Sequence, residues 1–382
     1  MIELGRWRKY ALTTGAVGLL LTGIGLFVSP AQFFRSYLWA FLFWFGVAMG
    51  CLPLLMLYHL VGGAWGFTVR RIVESGTRTL PVIAIFFLPI LFGIPQLYEW
   101  SHADKVAEIE ALRQKQPYLN IPFWILRAVV YFGVWLFYTY RLNRLSVVQD
   151  RTGDVMLVKK FEKLSAPGLV VYALTVTFAA FDWAMSLEPE WYSTIYGMLW
   201  MVGQALSALA FAIAILALLS HTAPISRLSL PDNLHDLGNL LLAFVMLWAY
   251  LSFSQLLIIW SGNLPEEVPW YLSRLHHGWE WVAGALITFH FFVPFFLLLA
   301  RSRKRRIGSL AAIAVLVLVM RVVDTFWIIT PAFYGDRATV HLLDVFALVG
   351  IGGIWLAAYA RQLAAMPLVP LHDPNAAAHK VI

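Results

Sequence analysis

The sequence is poor in cysteine and in charge. Its single thiol, Cys51, lies within an apolar run, so disulfides, a thiolate metal site, an Fe–S cluster and a CxxCH haem attachment are all excluded within this chain. Any redox cofactor is therefore held without a covalent bond or belongs to a partner, and no metal-ligating set stands out. Charged residues make up only 13% of the 382 residues against 60% hydrophobic ones, and the mean hydropathy is +0.73. That balance lies outside the range of soluble domains and inside that of multi-span membrane proteins. The formal net charge of +7 does not argue for nucleic acid, because the lysines and arginines sit in short clusters between apolar runs, as topology signals do.

What is present is a series of apolar runs of about twenty residues, each long enough to cross a hydrocarbon core of about 30 Å. They fall at 10–29, 37–61, 80–100, 121–142, 167–187, 192–220, 236–261, 274–300, 308–330 and 340–361, which predicts an all-α polytopic membrane protein of ten transmembrane helices. The first run follows the basic MIELGRWRKY and is too long for a signal peptide, so it is expected to be retained as helix one. Of the 28 lysines and arginines, 20 lie at the N-terminus, in the loops 62–79, 143–166, 221–235 and 301–307, or at the C-terminal end, with Arg141 and Arg361 counted at their helix ends. The positive-inside rule then places both termini of this multi-pass chain in the cytoplasm. On the opposite side, the loop 101–120 has the pattern of a short amphipathic helix with Val106, Ile109 and Leu112 on one side.

A faint repeat accompanies these runs. Asp182 stands seven residues before Pro189 and near Tyr196-Gly197, as Asp324 stands seven residues before Pro331 and near Tyr334-Gly335. This predicts two parallel four-helix bundles, 37–190 and 191–335, with a peripheral helix in 1–36 and the tenth helix and a cytoplasmic tail in 336–382.

Ionisable groups inside apolar runs are expensive and mark sites. In the outer half these are Arg127, Asp182, Glu280, Arg321, Asp324, His341 and Asp344, candidates for quinone binding or proton handling. Arg321 with Asp324 and His341 with Asp344 are spaced i, i+3 and can each meet on one helix face; a self-neutralising structural pair is the plainer reading of the first. Asp182 has no opposite charge within one helical turn, so its partner must come from another helix, and Arg127 is at similar depth. On the inner side His59, Asp236 and His290 are proton-path candidates. In the outer turns Glu188, Glu190, Trp191, Glu266, Glu267 and Trp270 combine acids with aromatics, which suits either an interfacial aromatic belt or a docking surface for an extracytoplasmic protein.

The segments FAAFDWAMSLEPEWYSTIYGML, DNLHDLGNLLLAFVMLWAYLSFSQLLIIWSGNLPEEVPWY (232–271) and VVDTFWIITP (322–331) closely resemble the smaller of the two NrfD-like, polysulfide-reductase-type membrane subunits of bacterial alternative complex III, the ActF type. The resemblance runs from helix two to helix nine. It implies a ten-helix subunit of a quinol:cytochrome c or quinol:oxidase oxidoreductase in the respiratory chain. The partners implied are a sister NrfD-like subunit, a multihaem cytochrome and an Fe–S subunit, which carry the haems and clusters, with quinone or menaquinone as the cofactor that would reach this chain among the lipids. In the larger sister subunit an acid and a membrane histidine serve quinol oxidation. Here Asp182 matches the acid, but the helix 121–142 has no histidine and Tyr192 stands where the sister has one. Proton handling and assembly are therefore expected before direct catalysis. On the residues alone an ion-coupled secondary transporter and a purely structural scaffold stay open as alternatives.

Overall fold

In the computed structural model, residues 2–334, 337–370, 372 and 373 are described. These residues contain no β-strand. Ten helices are long and apolar enough to cross a membrane, the architecture of a polytopic membrane protein. We number them α1 (Leu4–Val28), α2 (Pro30–Val61), α3 (Leu80–Leu97), α4 (Ile121–Thr152), α5 (Leu157–Leu187), α6 (Tyr196–Leu219), α7 (Pro231–Gly262), α8 (Trp279–Leu299), α9 (Ile307–Ala332) and α10 (Leu342–Ala364). The ten expected runs correspond to these ten helices one for one.

The boundaries follow from local chemistry. Pro30 at the first turn of α2 separates it from α1, since proline needs no N–H partner there. Asn120 caps α4 by accepting the Phe123 N–H at 3.0 Å, and Gly153, with φ of 64°, ends it. Helices α4 and α5 therefore extend well beyond their apolar cores, into polar turns that a hydropathy window cuts off. The larger difference lies in the stretch 62–79, expected as a polar loop. Residues Ala64–Thr77 form a helix that is almost wholly buried. The 101–120 segment forms two short helices, Ala103–Glu108 and Glu110–Lys115, and Val106 and Leu112 are buried against the protein body. Lys115 then donates to the Pro189 carbonyl at 2.5 Å.

Helices α2 and α6 are the most buried of the ten and pack on each other at the centre. Helix α2 also packs on α3 and α5, and α4 on α3 and α5; α6 packs on α7 and α9, and α8 on α7 and α9. Between α2, α3, α4 and α5 the space is filled by rings, among them Phe41, Phe45, Phe87, Trp124, Trp135 and Trp183, with centroids such as Phe87–Trp183 4.7 Å apart. Helices α1 and α10 pair along their length through glycine: a Cβ on Gly15 would lie 2.4 Å from the Ile354 nitrogen, and one on Gly18 2.7 Å from the Gly350 nitrogen. Small residues allow this approach where lipid removes the hydrophobic drive between helices. The variant Gly15→Leu is thus expected to release α1 from α10 and leave the remaining helices folded. Disulfide trapping between cysteines placed on α1 and α10 would register this as lost cross-linking, and unchanged cross-linking would refute the contact.

Candidate functional site

The two acids of the sequence repeat have different surroundings. Asp182 is fully buried and accepts from Arg127 through both carboxylate oxygens, at 2.8 and 2.7 Å, and from the Tyr131 hydroxyl at 2.8 Å. Arg127 is itself clamped, with its guanidinium 3.8 Å from the Tyr118 ring centre and 4.4 Å from that of Phe123. The Asp182 carbonyl accepts from the Trp124 indole and the Ser186 hydroxyl. Every oxygen of this aspartate is occupied, so a ligand would have to displace a protein group.

Asp324 forms the expected ion pair with Arg321 one turn earlier, but it also stands in the wall of a cavity of about 530 Å³. The cavity lies among α6, α7, α8, α9 and the short helix Val268–Leu275. Its lining is apolar and aromatic, with Trp248, Trp270, Tyr271, Phe291 and Trp327 as flat walls, and beside its indoles the residues with polar groups are few: Asp324, Gln255, Ser252, Tyr196, Tyr250 and Tyr271. Gln255 accepts from Ser193 at 2.9 Å and donates to the Tyr271 hydroxyl at 3.4 Å. Exposed apolar residues, Met246, Tyr250 and Phe253 on α7 with Ile287 and Phe292 on α8, border the cavity on its outer side, so its mouth opens between α7 and α8 towards where lipid would lie. A concave, mostly apolar site with a few convergent polar groups is the usual form of a small-molecule pocket.

A change of helical geometry shapes this wall. From Leu286 to Phe292, α8 winds as a π-helix, a rare insertion that recurs at functional sites. It brings Leu286, Ile287, Phe291 and Phe292 to the cavity, while His290 is fully buried against Trp248, ring centres 4.2 Å apart. Neither His290 ring nitrogen has a hydrogen-bond partner among the described residues. Arg321 packs over Gly203, where a Cβ would lie 2.3 Å from its guanidinium, and donates to Ser207 at 3.2 Å.

The other candidates are placed as follows. Asp344 and His341 form a capping box at the start of α10 and not an ion pair: Asp344 accepts the His341 N–H at 2.8 Å, and His341 accepts the Leu343 N–H at 3.1 Å. Asp344 also accepts from Ser36 at 2.6 Å and Trp39 at 3.0 Å, tying α10 to α2. Glu280 is exposed and accepts the Gly278 N–H at the start of α8. Trp191 and Trp270 are buried and stacked on each other at 4.6 Å. Glu188 pairs with the fully buried Arg274 at 2.5 Å. Glu190 and Glu266 are exposed and Glu267 is half-buried. The aromatic members of the outer turns thus face inward, and the acids supply what is open. Asp236 is exposed on α7, and Gly335, part of the second repeat motif, lies outside the described residues.

A second polar cluster lies at the opposite end of the molecule, on the buried helix Ala64–Thr77. Glu74, fully buried, accepts from Arg70 at 2.9 Å, Arg71 at 2.6 Å and Ser146 at 2.8 Å. Arg71 also pairs with Asp150 at 2.5 Å. The amphipathic spacing of Phe67, Val69, Ile72 and Val73 around Arg70, Arg71 and Glu74 was the available signal for this helix, masked in a hydropathy average by its three charges. Burial acts to raise the Glu74 carboxyl, but the Arg71 and Arg70 guanidiniums outweigh it and hold the group at about 2 against an ordinary value of 4.5. Because the folded value is depressed, this contribution to stability is complete above about pH 4.5 and is lost as pH falls towards about 2. Thermal unfolding across that window should show the loss, and Glu74→Gln should both flatten the acid slope and lower stability at neutral pH. An unaltered slope would remove Glu74 from the account.

No family model and no curated protein matches the chain.

Proposed function

We propose that this chain is an integral membrane subunit of a quinol-oxidising respiratory complex, and that the cavity beside Asp324 receives the quinone ring. The observation that carries this reading is a coincidence of two independent features. The segments 232–271 and 322–331, on which the resemblance to the smaller NrfD-like subunits of alternative complex III rests, supply most of the cavity wall, from Met246 to Leu256 and at Trp270, Tyr271, Asp324, Trp327 and Ile328. A lipid-facing mouth, flat aromatic walls and one acid with one amide inside suit an apolar ring that carries two oxygens at its ends. Such a ring loses two protons and two electrons on oxidation. The ring hydroxyl would donate to the Asp324 carboxylate, and Gln255 or Tyr271 would meet the far oxygen; electrons would pass to haem or Fe–S groups on extracytoplasmic partners.

With both termini cytoplasmic, as the basic loops argue, the cavity sits in the outer half of a bacterial inner membrane, and Glu188, Glu190, Glu266 and Glu267 lie on the side where those partners would dock. We take α2–α5 and α6–α9 as two four-helix bundles; the acid of the second, Asp324, is buried and paired with Arg321 but lines a cavity. Asp182 is structural in this reading and Asp324 handles the proton.

The test is photo-crosslinking of the purified complex with an azidoquinone. Label should fall on 246–256 or 286–292, should be competed by native quinone, and should drop at least about tenfold in Ala283→Trp, which fills the cavity while the protein keeps its melting temperature. Label that neither native quinone nor Ala283→Trp diminishes would overturn the reading, as would purification without any haem or Fe–S partner.

A further inference from the structure

The inner-end cluster contains a cavity of about 260 Å³ whose lining includes Tyr58, His59, Arg70, Gln149, Phe161 and Asp373. Its floor is a preorganised guanidinium. Arg70 is buried, donates to Glu74 at 2.9 Å and to Gln149 at 2.8 Å, and lies over the Phe161 ring at 5.2 Å. The remaining Nη1 donates to the Asp373 carboxylate at 2.5 Å, and the Tyr58 hydroxyl donates to the same oxygen at 2.6 Å. Asp373 follows α10 in sequence; near it Val369 is buried and His372 is bonded to the Asp150 carbonyl at 3.0 Å.

Two further observations make this more than a tether. His59 stacks on Phe161 at 4.1 Å in the cavity wall, and its Nε2 is buried with no hydrogen-bond partner among the described residues. Among the described residues Arg70, Arg71 and Arg78 face Glu74, Asp150 and Asp373. Withdrawing the Asp373 carboxylate removes one of the two carboxylates that hold Arg70 and turns its Nη1, with a hydroxyl and an imidazole beside it, to the cavity, and a guanidinium fork binds oxyanions well. At the rim Glu162 is flanked on the same helix by exposed Lys159, Lys160 and Lys163, so the approach is basic overall.

We propose that this cavity is an oxyanion site that holds the chain's own Asp373 as a displaceable occupant, and that it takes a phosphate group when the Asp373 carboxylate leaves it. An acidic lipid headgroup and free phosphate present the same oxyanion chemistry to this site, and the experiment separates the two sources. This site is independent of the quinone cavity.

Full-length protein is reconstituted in phosphatidylcholine vesicles, with inorganic phosphate added at constant ionic strength, or in vesicles that also contain phosphatidylglycerol. The wild type should show little response to either. Asp373→Ala should be destabilised without anion and should regain at least about 2 °C of melting temperature with phosphate, with phosphatidylglycerol, or with both. Tyr58→Phe, which keeps all charges, should weaken that rescue several-fold when combined with Asp373→Ala. A rescue by phosphate alone assigns a soluble anion, and a rescue by phosphatidylglycerol alone assigns a lipid. Asp373→Ala that responds to neither more than the wild type does, or a rescue untouched by Tyr58→Phe, would overturn the site.

Discussion

Replacement of Asp182 by Asn is expected to cost about 3–5 kcal/mol of stability, because it strands a charge that the fold has buried. The aspartate is fully buried, both its oxygens hold Arg127, and Tyr131 adds a third donor. The neutral amide retains the shape but offers one acceptor where two served, and among the described residues the guanidinium between the Tyr118 and Phe123 rings has only the Tyr118 carbonyl, 2.9 Å from Nη1, as a further acceptor. The double variant Arg127→Met with Asp182→Leu removes both charges and should recover most of the loss, since replacing a whole buried pair by apolar groups is commonly neutral. A double-mutant cycle on apparent melting temperature, run in one detergent, measures this coupling. A single variant within about 1 kcal/mol of the wild type would show that the pair is wetted or already loosened, and would return Asp182 to the list of proton-handling acids.

The ten spans were legible because a membrane imposes one crude rule, about twenty apolar residues in a helix, and every run obeys it. Helix ends were less legible: Arg141 to Thr152 is polar, yet it continues α4 until Gly153 supplies the left-handed turn. The buried helix Ala64–Thr77 was read as a loop because its charges are satisfied within the protein, something composition does not reveal. Spacing correctly joined Arg321 to Asp324. The same spacing failed for His341 and Asp344, because they straddle a helix start, where backbone N–H groups compete for both side chains. Matching depth was enough to pair Arg127 with Asp182 across two helices. The cavity beside Asp324 had no such signal. It arises from the π-helical turn of α8 and from how five elements pack, and the residues that line it are ordinary members of apolar runs.

The variant Gly50→Val is expected to be the most damaging single change between α2 and α6. A Cβ at Gly50 would lie 2.0 Å from the Gln204 carbonyl oxygen and 2.4 Å from its carbon. That obstacle is backbone, so no rotamer change relieves it, and the two most buried helices must separate. Overpacking against side chains typically costs about 1–3 kcal/mol, and against backbone the cost should reach or exceed the top of that range. The effect should also travel. Helix α6 places Tyr196 and Leu199 in the cavity wall and presents Gly203 and Ser207 to Arg321, so a shift of α6 moves the partner of Asp324. Gly203→Ala provides the contrast: its added methyl meets the end of a long side chain at 2.3 Å, which Arg321 can vacate by changing rotamer. Gly50→Val should fail to assemble or should melt far below the wild type, whereas Gly203→Ala should still assemble, with a smaller loss of stability than Gly50→Val, and should lose quinone labelling, because the Arg321–Asp324 pair is displaced. Equal melting temperatures for Gly50→Val and the wild type would contradict the backbone contact at the centre of the fold. Undiminished labelling in Gly203→Ala would separate the ion pair from the cavity's function.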